Sequence, residues 1–320
     1  MKNKRTVLIF GISGQDGSLL AEYLLKKSYK VIGISRKNSG IGFLNLKLLK
    51  IIGKIKLLKI NYSQRQIENL IHYYKPNQIY NFSAQSSVYL SFKKTYETIN
   101  KSTNLNLFIL ETLKKLKLNA FYFFPSSGEI FGNINTGLAT ENSKFDPTSP
   151  YAISKLSNYY LVKNFRESYN LNCASGILFN HESIFRTNNY VTMKIINTAI
   201  NIKKNKSNKL TLDSLKIKRD WGWAPEYIEA IYKMSISSKP NDYIISTGKV
   251  HSLKDFVRIT FELLDLDWQI YTEFYNKSLR PLDVYRSGGN PIKIKKDLGW
   301  NSRFTLEMII KKIIDIKYQQ

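Results

Sequence analysis

Cysteine is almost absent from this chain: Cys173 is the only one in 320 residues, which excludes an intrachain disulfide and a thiolate metal cluster. Histidine is nearly as scarce. His72, His181 and His251 lie far apart and in no metal-ligand spacing, so no metal is expected. No apolar run approaches the length of a membrane span, and MKNKR leads at once into a β-prone stretch with no room for a signal h-region. These absences predict a cytoplasmic protein with no membrane partner. Acidic residues are also few, 24 Asp and Glu against 49 Lys and Arg, for a net charge of +25. Such a balance ordinarily raises nucleic-acid binding. Here the lysines are spread through almost every segment among many Asn, Ile and Tyr and no binding motif accompanies them, so the charge reads as compositional bias and no nucleic-acid partner is expected. Internal repeats and low-complexity linkers are lacking as well.

What is present begins at the N-terminus. Thr6 to Phe10 is a short apolar run, Gly11-Ile12-Ser13-Gly14-Gln15-Asp16-Gly17 is a glycine-spaced turn, Ser18 to Lys27 has helical periodicity, and Lys30 to Ile34 is apolar again. This is one βαβ unit. Glycines at that spacing let the backbone turn tightly and approach a pyrophosphate, while the helix N-terminus offers free N–H groups to the anion. Residues 11 to 17 are therefore expected to hold a dinucleotide. At the end of the second strand, where Asp or Glu would read a free ribose 2′-hydroxyl, stand Ser35, Arg36 and Lys37. Two cations suit a 2′-phosphate, and NADP is expected rather than NAD.

Further apolar runs at Lys56 to Ile60, Gln78 to Phe82, Ala120 to Phe124 and Cys173 to Phe179 alternate with helical patterns at Ile67 to Tyr74, Asn104 to Leu116 and from Tyr151 to about Tyr169. Pro125 is expected to break the fifth strand. Six strands alternating with helices predict an α/β fold, a Rossmann-like doubly wound parallel sheet with a smaller mixed α/β substrate-binding lobe. The boundaries drawn are 1–180, with 219–248 returning to it, for the nucleotide-binding domain, and 181–218 with 249–320 for the lobe. After the fourth strand, Ser83-Ala84-Gln85-Ser86-Ser87 is small and polar at a carboxyl end of the sheet, where ligands dock.

Tyr151 and Lys155 are four apart on a helix, so both leave the same face. A phenol with a pKa near ~10 is a poor base at neutral pH. A neighbouring ammonium and an oxidised nicotinamide stabilise the phenolate, which can then take a proton from a hydroxyl being oxidised.

With GISGQDGSLLAEYLL, YNFSAQSSVYLSF, SSGEIFG, PTSPYAISKL, SGILFNHES, KRDWGWAPEYI, DYIISTGKVHS and RPLDVYRSGGNPIKIKKDLGW, the sequence resembles the extended short-chain dehydrogenase/reductases and, within them, the GDP-mannose 4,6-dehydratases. The matching stretches span nearly the whole chain. The resemblance implies a lyase that dehydrates a nucleotide sugar, converting GDP-mannose to GDP-4-dehydro-6-deoxy-mannose by internal hydride transfer through NADP. It implies that Ser127 hydrogen-bonds O4, that Glu129 removes the C5 proton and protonates the leaving oxygen, and that Tyr151 and Lys155 serve the redox step. Asn61, Tyr62, Ser83, Lys155, His181 and Arg186 would complete the cofactor site, and Ser87, Asn180, Lys194, Arg219, Arg280 and Asp283 would hold the substrate. A homodimer or homotetramer is the expected assembly.

The sequence departs from the family pattern in places. Gly128 stands for Ser, Asn61-Tyr62 for Asp-Leu, Ser87 for His, Ile184-Phe185 for Pro-Arg, and Met193 and Lys216 for Arg and Asp. Rival readings on the same scaffold are a nucleotide-sugar C4 reductase or epimerase; a rival of another class is a non-catalytic NADP-binding sensor. An epimerase usually carries a neutral residue at the Glu129 position.

Overall fold

The computed structural model describes residues 4–36, 43–206, 208–275 and 282–319. Its strands are β1 (Thr6–Phe10), β2 (Lys30–Ser35), β3 (Lys56–Lys59), β4 (Gln78–Asn81), β5 (Phe121–Ser127), β6 (Cys173–Leu178), β7 (Asn180–Glu182), β8 (Leu210–Leu212), β9 (Lys218–Arg219), β10 (Trp221–Trp223), β11 (Tyr243–Ile245), β12 (His251–Ser252), β13 (Thr272–Phe274) and β14 (Arg286–Ser287). The helices are α1 (Gln15–Lys26), α2 (Leu44–Leu48), α3 (Gln64–Tyr74), α4 (Val88–Lys93), α5 (Thr95–Leu116), α6 (Pro150–Tyr169), α7 (Val191–Lys203), α8 (Ala224–Ser235), α9 (Leu253–Glu262), α10 (Trp268–Tyr271), α11 (Ile292–Leu298) and α12 (Leu306–Tyr318).

A seven-stranded parallel sheet runs in the order β11-β6-β5-β4-β1-β2-β3. From β1 the chain winds one way to β2 and β3, then crosses back to β4. The carboxyl ends of β1 and β4 therefore diverge and leave the crevice where sheets of this kind bind ligands. Alternation along β1 builds both faces: Val7 and Ile9 enter one core with α1 and α8, Leu8 and Phe10 another with α3 and α5. A third core gathers Met193 to Ile202 of α7, Phe256 and Val257 of α9, Ile309 to Ile314 of α12, and Trp221 and Trp223. Smaller sheets, β7 with β10 and β12-β9-β14, lie between these regions in the chain. No described helix is long and apolar enough to cross a membrane.

Two expectations are corrected. Pro125 does not end β5, which runs on to Ser127. Beyond Phe123 the strand pairs only with β6, through Pro125↔Gly176 and Ser127↔Leu178, so the missing N–H removes no bond on the β4 side. Helix α5 begins at Thr95, well before Asn104. Its first turns carry no apolar stripe because they bury polar groups: Asn158 Nδ2 is 3.5 Å from Ser102 Oγ, and Ser154 Oγ is 3.4 Å from the Thr98 carbonyl. Hydrophobic periodicity is blind to such packing.

Candidate active site

The turn after β1 is shaped by close approach. Gly11 has φ +77°, and a Cβ there would lie 2.6 Å from the Phe82 carbonyl carbon at the end of β4. A Cβ on Gly14 would meet only the Gly11 oxygen at 3.4 Å, so the face of the turn toward α1 is open. Gly14 caps α1 with no side-chain acceptor, leaving the first N–H groups of the helix available to an anion. Ile12 is buried with its side chain against Gly33, so only its backbone can face a ligand, and the Ser13 carbonyl accepts from Asn45 Nδ2 at 3.1 Å.

Gln15 and Asp16, in the first turn of α1, reach across to β7. Gln15 Nε2 donates to the His181 carbonyl at 3.3 Å, and Ser183 Oγ donates to Gln15 Oε1 at 2.7 Å. His181 Nδ1 lies 2.8 Å from the Phe179 carbonyl and Nε2 lies 3.0 Å from Asp16 Oδ1. An acceptor at each nitrogen favours the protonated ring, which can donate to both, and the ring stacks on Tyr227 at 4.6 Å. Burial alone would push Asp16 up, but the His181 charge and hydrogen bond, helped by Gln15 and Arg186, hold it at about 2. Burial opposes charge on His181 too, and Asp16 reverses this so that its pKa is raised.

A second cleft of about 490 Å³ opens beyond the turn, with Arg36, Asn61, Tyr62, Ser83, Lys94 and Lys101 in its wall. Tyr62 takes a left-handed φ of 62°, and its hydroxyl accepts from Ser83 Oγ at 3.1 Å. The exposed Arg36 guanidinium sits 5.5 Å from the Tyr62 ring centroid. These four predicted positions thus meet in one pocket. Lys37, predicted beside Arg36, and Arg280, predicted for the substrate, lie outside the described residues.

The catalytic candidates converge at the carboxyl end of β5. Ser149 caps α6 by accepting from Ala152 N at 3.1 Å, with Pro150 in the first turn, which sets Tyr151 and Lys155 against β5. Ser127 Oγ accepts from Glu129 N at 3.3 Å at the start of the 3-10 turn Gly128–Phe131. Burial pushes the Tyr151 phenol above its ordinary value, a hydrogen bond with Ser127 pulls against this, Tyr190 and Glu129 add to the rise, and Arg186 opposes it. Lys155 is buried; its Nζ donates to the Pro125 carbonyl at 2.7 Å and lies 5.7 Å from the Tyr151 ring centroid. Burial lowers its ammonium to about 8, with Asp16 resisting.

The remaining candidates scatter. Arg186 is mostly buried, its Nε 3.4 Å from Glu182 Oε2 and its guanidinium 3.8 Å from the Tyr190 ring centroid. Ser87 caps α4 by accepting from Leu90 N at 3.2 Å. Asn180 begins β7, Lys194 is exposed on the first turn of α7, and Asp283 is half-buried. Arg219 is buried in β9 opposite His251 and Ser287, with Nη1 donating to the Lys218 carbonyl at 3.0 Å. Met193, where the family pattern carries Arg, is fully buried in the third core. Among the described residues no cluster of three or more His, Cys, Asp or Glu could hold a metal.

Sequence reasoning passed over three residues that shape this region. Asp220 is fully buried and accepts from Thr247 N, Thr247 Oγ1 and Gly248 N at 2.9, 2.7 and 2.9 Å, while burial pushes its carboxyl up to about 6. The RDWG motif carried that signal. Phe179 packs its ring where a Cβ on Gly128 would stand, at 2.8 Å, and Tyr190 bridges to Ser86 at 2.7 Å. Phe179 lies within the SGILFNHES stretch, which does not single it out, and Tyr190 lies in none of the quoted stretches.

The profile of the family described as GDP-mannose 4,6 dehydratase matches residues 8–313. A GDP-mannose 4,6 dehydratase of Arabidopsis thaliana is 33% identical over 98% of this chain and 90% of its own, and that of Homo sapiens is 34% identical over 98% and 91%. The Vibrio cholerae GDP-mannose 4,6-dehydratase is 30% identical over 99% and 95%. Among solved structures, a UDP-glucose 4-epimerase of Thermotoga maritima superposes with a TM-score of 0.86 at 19% identity, over 98% of this chain and 99% of the other. A dTDP-glucose 4,6-dehydratase of Bacillus anthracis in complex with NAD gives 0.86 at 19%, over 98% and 97%. At such identities these two speak to the fold.

Proposed function

The chain belongs to the GDP-mannose 4,6-dehydratase family, and from that membership we propose that it is a nucleotide-sugar 4,6-dehydratase, a hydro-lyase acting on GDP-mannose with bound NADP. The observation that carries the reading is the convergence at the end of β5: Lys155 Nζ, donating to the Pro125 carbonyl at 2.7 Å, lies 5.7 Å from the Tyr151 ring centroid, and Ser127 Oγ on the same strand accepts from Glu129 N at 3.3 Å.

The open Gly14 face, the uncapped α1 N-terminus and the cleft at Arg36 and Tyr62 fit a pyridine dinucleotide. When bound, that cofactor supplies the oxidation of C4 and the later reduction of C6. The rest of the work falls to the chain. Elimination from an unoxidised hexose is slow because the C5 proton is scarcely acidic and hydroxide leaves poorly. With C4 a ketone, the C5 proton is α to a carbonyl. Tyr151 takes the O4 proton as C4 is oxidised, Ser127 hydrogen-bonds O4, and Lys155 stabilises the phenolate. Glu129 removes the C5 proton and delivers a proton to the departing O6, so one water is lost and the carboxylate is restored; the proton that Tyr151 took from O4 is returned to C5 as C6 is reduced, which restores the phenolate. NADP is chosen over NAD because Arg36, a cation held over Tyr62, directly follows the second strand where an acid would read a ribose hydroxyl.

Residues 1–180 and 219–248 form the nucleotide-binding part in this reading, and 181–218 with 249–320 the substrate lobe; Lys194 and Asp283 of the lobe, with Asn180 and Arg219 at the boundaries, engage the substrate's nucleotide. Exposed Tyr96, Ile153 and Tyr160 on α5 and α6 favour an assembly of two or four copies. The test is incubation of purified protein with GDP-mannose and catalytic NADP⁺, with the product weighed by mass spectrometry. Loss of one water without net NADPH is expected; an epimer of unchanged mass, or unchanged substrate, overturns the proposal.

A further inference from the structure

The RDWG stretch carries two buried charged side chains, and only Arg219 has a place in the dehydratase reading. Asp220 beside it has none, although a carboxylate this deep is costly to bury unless its oxygens are satisfied. They are satisfied by one turn. Oδ1 accepts from Thr247 N at 2.9 Å and from Thr247 Oγ1 at 2.7 Å, and Oδ2 accepts from Gly248 N at 2.9 Å. The Asp220 N–H in turn donates to the Ser287 carbonyl at 3.0 Å. A single residue therefore ties together three segments that are far apart in the chain.

Those segments are the ones that surround Arg219. Strand β9 is the middle of the sheet β12-β9-β14, with His251 opposite Arg219 on one side and Ser287 on the other. Each of these strands is two residues long, below the length at which a ladder holds its own register. Backbone bonds run from Lys218 N to the Tyr285 carbonyl at 2.7 Å and from Leu253 N to the Ile217 carbonyl at 2.9 Å. The Asp220 carboxylate adds the restraint that so short a sheet lacks, because it grips the turn leading into β12 while its N–H grips β14. That turn is itself committed: Gly248 takes φ +78°, and a Cβ there would lie 3.2 Å from Pro291 Cδ. Arg219, whose Nη1 donates to the Lys218 carbonyl at 3.0 Å, is left between two strands that its neighbour fixes.

Resting on the dehydratase reading, in which Arg219 engages the substrate's nucleotide, we infer that Asp220 is a positioning residue for nucleotide binding: by clamping the Thr247–Gly248 turn and β14 to β9, it holds Arg219 where its guanidinium meets the anionic oxygens of the substrate's diphosphate. Charge-assisted bonds from a planar guanidinium depend on distance and angle, so loosening β9 weakens the grip on the nucleotide and spares the chemistry at the hexose.

Titration of the NADP⁺ complex with GDP, alongside steady-state assays with GDP-mannose, decides this. Asp220→Asn keeps the side-chain volume but sets an amide NH₂ against a donor, so at least one of the three bonds is lost. GDP is expected to bind about tenfold more weakly in Asp220→Asn than in the wild type, the scale of one charge-assisted bond. KM for GDP-mannose should rise by a similar factor, while kcat and NADP⁺ affinity stay within about twofold of the wild type. Arg219→Met should lose at least as much GDP affinity, and adding Asp220→Asn to it should cost less than about twofold more, because a clamp that acts through Arg219 then has nothing left to place. Should Asp220→Asn fail to fold, Thr247→Val removes one of the three bonds at similar volume, with an expected loss of about threefold. GDP affinity unchanged in these variants, losses that multiply in the double variant, or a parallel fall in kcat and NADP⁺ affinity overturns the inference. A wild type that binds NADP⁺ but neither GDP nor GDP-mannose defeats the nucleotide-sugar reading itself, and this inference with it.

Discussion

Asp16 and His181, 165 positions apart in the chain, meet at 3.0 Å through Oδ1 and Nε2, while the other ring nitrogen faces the Phe179 carbonyl at 2.8 Å. The pair locks the first turn of the helix behind the glycine turn to the strand that leads into the third core, and Gln15 with Ser183 doubles the lock. GQDG and NHES, parts of two of the stretches that carry the family resemblance, are thus two halves of one contact.

That contact predicts a pH-dependent stability. The raised His181 value contributes fully below the ordinary histidine pKa of 6.5 and is lost as pH rises through the folded value. The lowered Asp16 value contributes fully above 3.8 and is lost as pH falls toward about 2. His181→Gln is expected to cost about 3 kcal/mol, the scale for breaking a buried pair. The gap in melting temperature between wild type and variant should be widest from about pH 4 to 6.5 and shrink on both sides. A gap that stays constant across that range contradicts the assignment.

Glu129→Gln removes the proton carrier while keeping the shape of the 3-10 turn. Dehydration of GDP-mannose is expected to fall by about 10²–10⁴-fold, the range for losing a general acid–base group. NADP⁺ affinity, followed by fluorescence titration, should change less than about twofold, because Glu129 is not among the groups assigned to the cofactor. Parallel loss of both would contradict the division of roles.

Gly128 has no room for a side chain while Phe179 stands at 2.8 Å from where its Cβ would be. Gly128→Ser is expected to destabilise the protein by about 1–3 kcal/mol through overpacking in a full site. Combining it with Phe179→Leu should recover part of that loss in a double-mutant cycle of denaturant midpoints. Strictly additive effects would mean that the two positions do not share the space.

Arg36→Ala should separate the two dinucleotides. Loss of one charge-assisted bond to the 2′-phosphate is worth about 1.5–3 kcal/mol, or roughly ten- to a hundredfold in NADP⁺ affinity. NAD⁺ affinity should barely move. Equal weakening of both, measured by titration, would assign Arg36 to some shared part of the cofactor.

Much of this molecule was readable from residue order alone. The βαβ opening, the central strands, the Tyr151 and Lys155 spacing and the Ser127 to Glu129 turn follow from local periodicity, turn chemistry and motif, each of which is written within a few residues. The family resemblance drew on stretches such as RDWG without revealing that Asp220 within it holds the Thr247–Gly248 turn. Strand β5 was cut short at Pro125 because a proline is harmless only where one side of the strand has no partner, and partners are chosen by topology.

Residue order settled where backbone could turn and which apolar positions would be buried, since both depend on neighbours along the chain. Tertiary structure alone decided that Asp16 meets His181, that Phe179 denies Gly128 a side chain, and that Tyr190 stands between Ser86 and Arg186. The physical reason is range: a hydrogen bond, an excluded volume and a stacked cation act over a few ångströms of space, and chain separation carries no record of which distant groups will share them.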